Sequence, residues 1–329
     1  MIKPNWDTFK AKFNENPQSN FEWFCYLLFC KEFKQDKGIF RYKNQSAIET
    51  NPVEIGDEVI GWQAKFYETS LSKPKKEILE TLEKAKRYYP KITKIIFYTN
   101  QEWKQTKEGK KPKGLKEIND KANKLGLKIE WRTAGFFESP FVCIENKIIA
   151  KHFFTFDKSI FDLIKEQQKH TENILKQIKT TFNFKNQVFD VNRNEVIDKL
   201  KNTGSQVIIL SGVAGVGKTA VIKKYYEQQK EKLPFYVFKA TEFNNLRNLN
   251  DFFKNFDFKE FIEAHENEKE KIIVIDSAEK LRDIDNTDPF KEFLQVILEN
   301  EWKVIFTTRD NYVDVLNTCL LYTSPSPRD

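Results

Sequence analysis

The 329-residue chain contains no run of about 18 apolar residues, the length a helix needs to cross a bilayer, which argues against a membrane span. Its first residues, MIKPNWDTFKAKF, lack the apolar stretch of a secretory signal, so a cytoplasmic protein without a membrane partner is the expectation. Cysteine is scarce. Cys25, Cys30 and Cys143 show none of the paired spacings of a metal site and read as buried thiols of a reducing compartment. No internal repeat or low-complexity segment precedes the tail. Nor is there a large excess of one charge: +7 permits contact with nucleic acid without demonstrating it.

What is present fills real cores. Hydrophobic residues make up 40% and aromatic ones 14% of a length that suits two domains. The final stretch CLLYTSPSPRD, Cys319 to Asp329, resembles the translation of an adapter used in sequencing libraries. On that reading 319–329 is a non-native tail, and a C-terminal region following Thr318 is missing.

The first part, 1–150, reads as mixed α/β. An apolar helix, FEWFCYLLFCKEF, precedes strands around AIETNPVEI and VIGWQAKFY. Ile78, Leu82, Ala85 and Tyr89 mark a charged amphipathic helix, which Pro90 closes, and KIIFYTN follows as a buried strand. KQTKEGKKPKG is a basic loop, either a solvated connection or a track for phosphates. The polar helix from about Asp157 to Phe182 reads as a connector, within a linker at 151–184. From Gln206 strands and helices alternate, so 185–318 is expected to form a parallel sheet with helices on both faces.

The strongest motif is QVIILSGVAGVGKTAVIKKYY. Gly212, Gly215 and Gly217 leave backbone N–H groups free to wrap phosphates at a helix start. Lys218 would reach the terminal phosphates and Thr219 would ligate Mg²⁺. A second apolar strand, KIIVIDSAEK, ends in Asp276, placed to hold the same Mg²⁺. Glu279 is either the group that activates water or an ordinary surface glutamate. PFYVFKA, lying between these strands in the sequence, reads as the insertion of the additional-strand branch of P-loop ATPases. WKVIFTTRD brings Arg309 to the carboxyl edge of the sheet, where a guanidinium would sense a γ-phosphate. Arg193 in FDVNRNEVIDKL is either an upstream nucleotide contact or a helix-surface arginine.

GVAGVGKT, IIVIDSAE and IFTTR together resemble the STAND class of signal-transduction ATPases over about Lys185 to Thr318. The resemblance implies ATP with Mg²⁺, a switch from closed monomer to homo-oligomer, and a trigger read by a C-terminal sensor. In antiviral members that trigger is a viral protein. Such switches carry an effector at one end.

The effector candidate is VIGWQAKFY. Gln63 and Lys65 share one strand face, opposite Trp62, Ala64 and Phe66. An acid followed by a hairpin and then (D/E/Q)-x-K resembles the Mrr-like branch of PD-(D/E)xK restriction endonucleases, over about Phe21 to Thr133. The resemblance makes Glu49 and Gln63 the metal-side groups and Lys65 the charge stabiliser for Mg²⁺-dependent cleavage of DNA. For Glu49 to face Gln63, Glu54 must pair with Glu58, which requires an odd-length loop or a bulge near Gly56. Glu22 is either a further metal-side acid or part of a Ser19-x-x-Glu22 capping box. Glu54, Asp57 and Glu58 at the hairpin tip read as solvated. No Pro-Asp precedes the hairpin, and Gln63 brings no charge. The alternatives are therefore an inactive nucleic-acid-binding domain on an NTP-driven switch or scaffold, an unrelated surface strand, and an ATP-dependent restriction or repair translocase.

The expected fold class is thus α/β: a restriction-endonuclease-like mixed-sheet domain followed by a P-loop NTPase parallel-sheet domain.

Overall fold

The computed structural model describes residues 2–35, 48–71, 73–104, 112–184, 187–190, 192–253, 256–314 and 316. The tail at 319–329 and most of the basic loop lie outside them. The chain divides into two compact units, Met1–Lys158 and a second from Ser159 onward.

In the first unit, α1 (Trp6–Lys12) starts where the Asn5 side chain accepts the Thr8 N–H. Helix α2 (Pro17–Glu32) opens on Pro17, whose fixed φ suits a first helical position. It therefore begins four residues before the apolar run does. Apolar side chains surround α2, and from Phe24 to Cys30 every residue is buried. Strands β1 (Val53–Ile55) and β2 (Glu58–Lys65) form an antiparallel hairpin. Ile55 pairs with Glu58, which leaves a two-residue turn at Gly56 and Asp57, with Gly56 at φ +58°. The odd-length loop is absent.

Two crossovers extend the sheet in parallel: α3 (Lys75–Tyr88) leads to β3 (Lys94–Thr99), and α4 (Lys113–Lys124) leads to β4 (Lys128–Arg132). The sheet order is β1-β2-β3-β4. Alternation separates its two faces. Trp62 stacks on Tyr26 and Phe29 of α2 and meets Tyr98 edge-on. Ile95 and Phe97 pack instead with Ile78, Leu82 and Ala85 of α3 and with Ile118 and Ala122 of α4. Helices α5 (Ala134–Phe137) and α6 (Lys147–Phe154) close the unit with an aromatic cluster in which Trp6 meets Phe137 and Phe154 edge-on.

Helix α7 (Ile160–Lys176) opens the second unit with a capping box of Ser159 and Asp162. The sequence reading made it a connector. In the structure its apolar stripe is part of this unit's core, where Ile174 and Leu175 join Val237 and Val274. Thr171 Oγ1 accepts the buried Val237 N–H at 3.0 Å. The strands β5 (Thr181–Phe184) and β6 (Gln187–Asp190) pair antiparallel, and α8 (Asn194–Asn202) follows. Then come β7 (Val207–Ser211), α9 (Lys218–Gln229), β8 (Phe235–Lys239), α10 (Phe258–Ala264), β9 (Ile272–Asp276), α11 (Asp288–Glu299) and β10 (Lys303–Thr308). All four strands β7 to β10 are parallel, in the order β7-β10-β9-β8.

PFYVFKA is a strand between β7 and β9 in the chain, as expected, and the sheet order shows where it lies. PFYVFKA forms β8, which lies at the edge beyond β9 and not between β7 and β9. The strand between them is β10, which comes last of the four in the chain. Chain order and spatial order differ because a parallel crossover can step over a neighbour.

Candidate functional site

Strand β7 delivers the chain into the glycine-rich turn. Gly215 and Gly217 have φ of +78° and +92°, a region costly for residues with a Cβ. Gly217 is also crowded: a Cβ there would lie 2.8 Å from Arg193 Nη2. Arg193 therefore sits against the turn that opens α9, with Nη1 also donating to Thr180 O at 3.4 Å. Lys218 Nζ donates to Gly212 O at 2.8 Å and to Val213 O at 3.1 Å, so its ammonium lies over the loop carbonyls.

The carboxyl ends of β9 and β10 meet this turn. Thr219 Oγ1 donates to Asp276 Oδ1 at 3.0 Å, and Thr307 Oγ1 donates to the same oxygen at 2.6 Å. Thr307 Oγ1 accepts in turn from the Ser277 N–H at 3.0 Å. Ser277 has φ +60°, a left-handed conformation that turns the chain so that Glu279 follows in a short helical turn. Glu279 is largely buried, and its Oε1 is 3.4 Å from Arg309 Nε, which is half-exposed. One cleft of about 320 Å³ is lined by Gly215, Gly217, Lys218, Thr219, Asp276, Ser277, Glu279, Thr307 and Arg309. Ile178 and Lys179, just past the end of α7, line it too.

A hydroxyl and a carboxylate side by side, beneath backbone N–H groups at a helix start, form the donor set that Mg²⁺ with a nucleotide phosphate requires. Every P-loop residue singled out in the sequence, with Asp276, Glu279 and Arg309, comes to this place. Sequence reasoning passed over Thr307 as a site residue. The only signal was its position at the end of a strand.

The residues singled out in the first unit are arranged differently. Gln63 and Lys65 do share a face, the one covered by α3. Gln63 is 6% exposed, and its Oε1 is buried without a hydrogen-bond partner. Lys65 Nζ lies 3.4 Å from Glu77 Oε1, in the first turn of α3. Glu77 was not foreseen, because only the docking of α3 on β2 brings it to the lysine.

Glu49 lies beyond the regular end of β1, where its N–H donates to Trp62 O at 2.9 Å. In the hairpin's own register Asn51 would oppose Trp62, so the chain is displaced by two residues between Glu49 and Val53. Thr50 Oγ1 accepts from Trp62 Nε1 at 2.9 Å, which fixes this segment on the α2 face. The register puts the backbone of Glu49 opposite Trp62 rather than Gln63.

Glu22 is in α2, on the Trp62 side of the sheet. Ser19 is the third residue of α2, so the capping box does not form. Glu22 Oε1 accepts instead from Gln18 Nε2 at 2.8 Å. The Gln18 amide also clasps the end of β2 through Ala64 O and the Phe66 N–H.

Glu58, read as solvated, is 3.4 Å from Lys94, which also pairs with Glu130. Arg132 continues the chain of charges to Glu130 and, at 2.6 Å, to Glu32. Burial raises the Glu32 carboxyl above its ordinary range, although Arg132 opposes it. Burial also works against ionised Glu130, but Lys94 and Arg132 outweigh it and hold that carboxyl low. Among the described residues no three His, Cys, Asp or Glu side chains are gathered as a metal cluster, and no helix is long and apolar enough to cross a membrane.

Residues 208–324 match the profile of the ATPase family associated with various cellular activities (AAA). No curated protein matches the chain. The second unit carries an AAA-type P-loop ATPase domain over residues 208–324, and its parallel sheet fits that family.

Proposed function

We propose that ATP binding and hydrolysis in the second unit gate Mg²⁺-dependent cleavage of DNA by the first. For the ATPase half, the carrying observation is the single cleft lined by Lys218, Thr219, Asp276, Glu279 and Arg309. Lys218 binds the terminal phosphates once its ammonium leaves the Gly212 and Val213 carbonyls. Thr219 and Asp276 hold Mg²⁺, which neutralises phosphate charge when bound. Glu279 orients or deprotonates the attacking water, and Arg309 senses the γ-phosphate. Arg193, against Gly217, is placed to add a cation to the phosphate cradle.

For the first unit, the support is Gln63 beside Lys65 on one strand face of a mixed sheet; Glu22, an acid of the nuclease resemblance, lies on the opposite, Trp62 side, and the backbone of Glu49 faces Trp62. The STAND resemblance supplies the setting. It is a bacterial antiviral effector that assembles into a homo-oligomer when a C-terminal sensor reads a viral protein.

The test is plasmid cleavage by the natural full-length protein, with Mg²⁺ and ATP, with and without the trigger. Cleavage by Lys65→Ala at the wild-type rate sinks the nuclease assignment. Activation that persists in Lys218→Ala sinks ATP gating.

One observation favours a second reading, a nucleotide switch whose first unit binds nucleic acid without cutting it. The hairpin closes on a two-residue turn, and the backbone of Glu49 lies opposite Trp62. Trigger-dependent DNA binding without cleavage would establish it.

A further inference from the structure

We propose that Gln63 Oε1 and the Glu77 carboxylate form a divalent-cation site beside Lys65. The inference deepens the nuclease reading, on which its purpose rests, and adds a carboxylate that neither the hairpin nor α2 supplies.

Gln63 provides the first half. Its side chain is 6% exposed under a packed helix, yet Oε1 has no hydrogen-bond donor. A buried acceptor left unmade is costly, and one such atom in a native interior calls for a partner. The partner must approach on the face shared by Lys65, since residues two apart on a strand point the same way. Glu77 provides the second half. It stands in the first turn of α3, and its Oε1 is 3.4 Å from Lys65 Nζ. Burial first, and Glu77 second, push the Tyr67 phenol upward, and the Tyr67 hydroxyl is also buried without a partner.

Lys65 therefore neutralises Glu77 in this arrangement. Glu77 and Gln63 would hold the cation, and the Lys65 ammonium, no longer needed by Glu77, would be left for a phosphate oxygen. Two oxygen donors and no imidazole or thiolate select a hard cation. Mg²⁺ is commonly held by one or two protein groups, with water and substrate phosphates completing its shell.

Iron-mediated affinity cleavage locates the cation without relying on activity. The 329-residue chain is incubated with Fe²⁺, ascorbate and peroxide without nucleotide, and backbone cuts are mapped by mass spectrometry. Cuts are expected around residues 63–67 and near Glu77, suppressed by excess Mg²⁺ and reduced at least fivefold in Glu77→Gln and in Gln63→Leu. Glu77 is exposed, so Glu77→Gln should leave the melting temperature unchanged and keeps the test readable if Gln63→Leu fails to fold. Absence of cuts from both segments, or cutting indifferent to Glu77→Gln, overturns the site. The same variants in the plasmid assay separate the two readings. The expected cuts with no DNA cleavage by any protein sink the nuclease assignment and leave the cation site standing. Cleavage that needs Lys65 but shows an unaltered iron pattern in Glu77→Gln does the reverse.

Discussion

Thr307 and Thr219 donate to the same oxygen, Asp276 Oδ1, at 2.6 and 3.0 Å. The hydroxyl that follows the P-loop lysine and a hydroxyl from β10 thus hold one carboxylate between them. Thr307→Val removes one of these bonds and strips the Ser277 N–H of its acceptor. A hydrogen bond to a charged group contributes about 1.5–3 kcal/mol, so steady-state ATP turnover should fall roughly 10- to 100-fold. Binding of a fluorescent ATP analogue should fall less, because Lys218 and the loop are untouched.

Gly217 is constrained twice, by φ +92° and by the Arg193 guanidinium, whereas a Cβ on Gly215 meets nothing within 4 Å. Gly217→Ala should therefore harm nucleotide binding and thermal stability more than Gly215→Ala. The conformational part costs about 1–2 kcal/mol at each site. Adding Arg193→Ala to Gly217→Ala should recover the stability lost to crowding but not the part due to φ. A double-mutant cycle on melting temperatures reads this directly. Equal melting temperatures for the double variant and Gly217→Ala would contradict the packing.

Gly61 lets β2 pass close beneath its neighbours. A Cβ there would lie 2.7 Å from Ile92 Cδ1 and 3.0 Å from Ile48 Cγ2. Gly61→Ala should cost about 1–3 kcal/mol in urea unfolding, as overpacking does. Ile92→Val deletes the nearer atom and should restore part of that loss when combined with it.

Arg132 faces two carboxylates whose titrations it moves. Without it, both Glu32 and Glu130 should titrate higher in the folded protein, Glu32 being raised already by burial. A carboxyl raised on folding withdraws stability as pH climbs through its folded value, and withdraws none below its unfolded value. Arg132→Leu should therefore be destabilised by about 2 kcal/mol near pH 7, with the gap to wild type closing as pH falls below about 4.5. Thermal melts across pH 3.5–7.5 check the sign.

The P-loop was legible because its chemistry is contiguous: glycines, lysine and threonine act through one turn, and eight consecutive letters carry it. Asp276 and Arg309 were legible as ends of apolar strands. What failed to show in the sequence was set by docking between distant segments. The polar composition of α7 hid an apolar stripe whose Ile174 and Leu175 join the core of the second unit. Pro17 started α2 earlier than the apolar run implied, which dissolved the capping box. Glu77 meets Lys65 across two elements, a relation no local pattern encodes. The nuclease resemblance requires an odd-length loop or a bulge near Gly56, and the hairpin closes on a two-residue turn instead. The irregularity that moves Glu49 lies above it, at residues 50–52, in a stretch with no periodicity to read.

The place of β10 in the second sheet has a bearing on how the protein is made. β7, which carries the P-loop, has β10 as its neighbour in the sheet, and β10 is the last of the four strands to leave the ribosome. Until residue 308 has emerged, β7 lacks that ladder, while β8 and β9 already have each other. The nucleotide-binding turn is thus completed by a distant contact formed late, a slow kind of closure that leaves a bare strand edge open to other chains meanwhile. The carboxyl ends of β7 and β9, which frame the candidate nucleotide site, are bridged only when β10 slots between them.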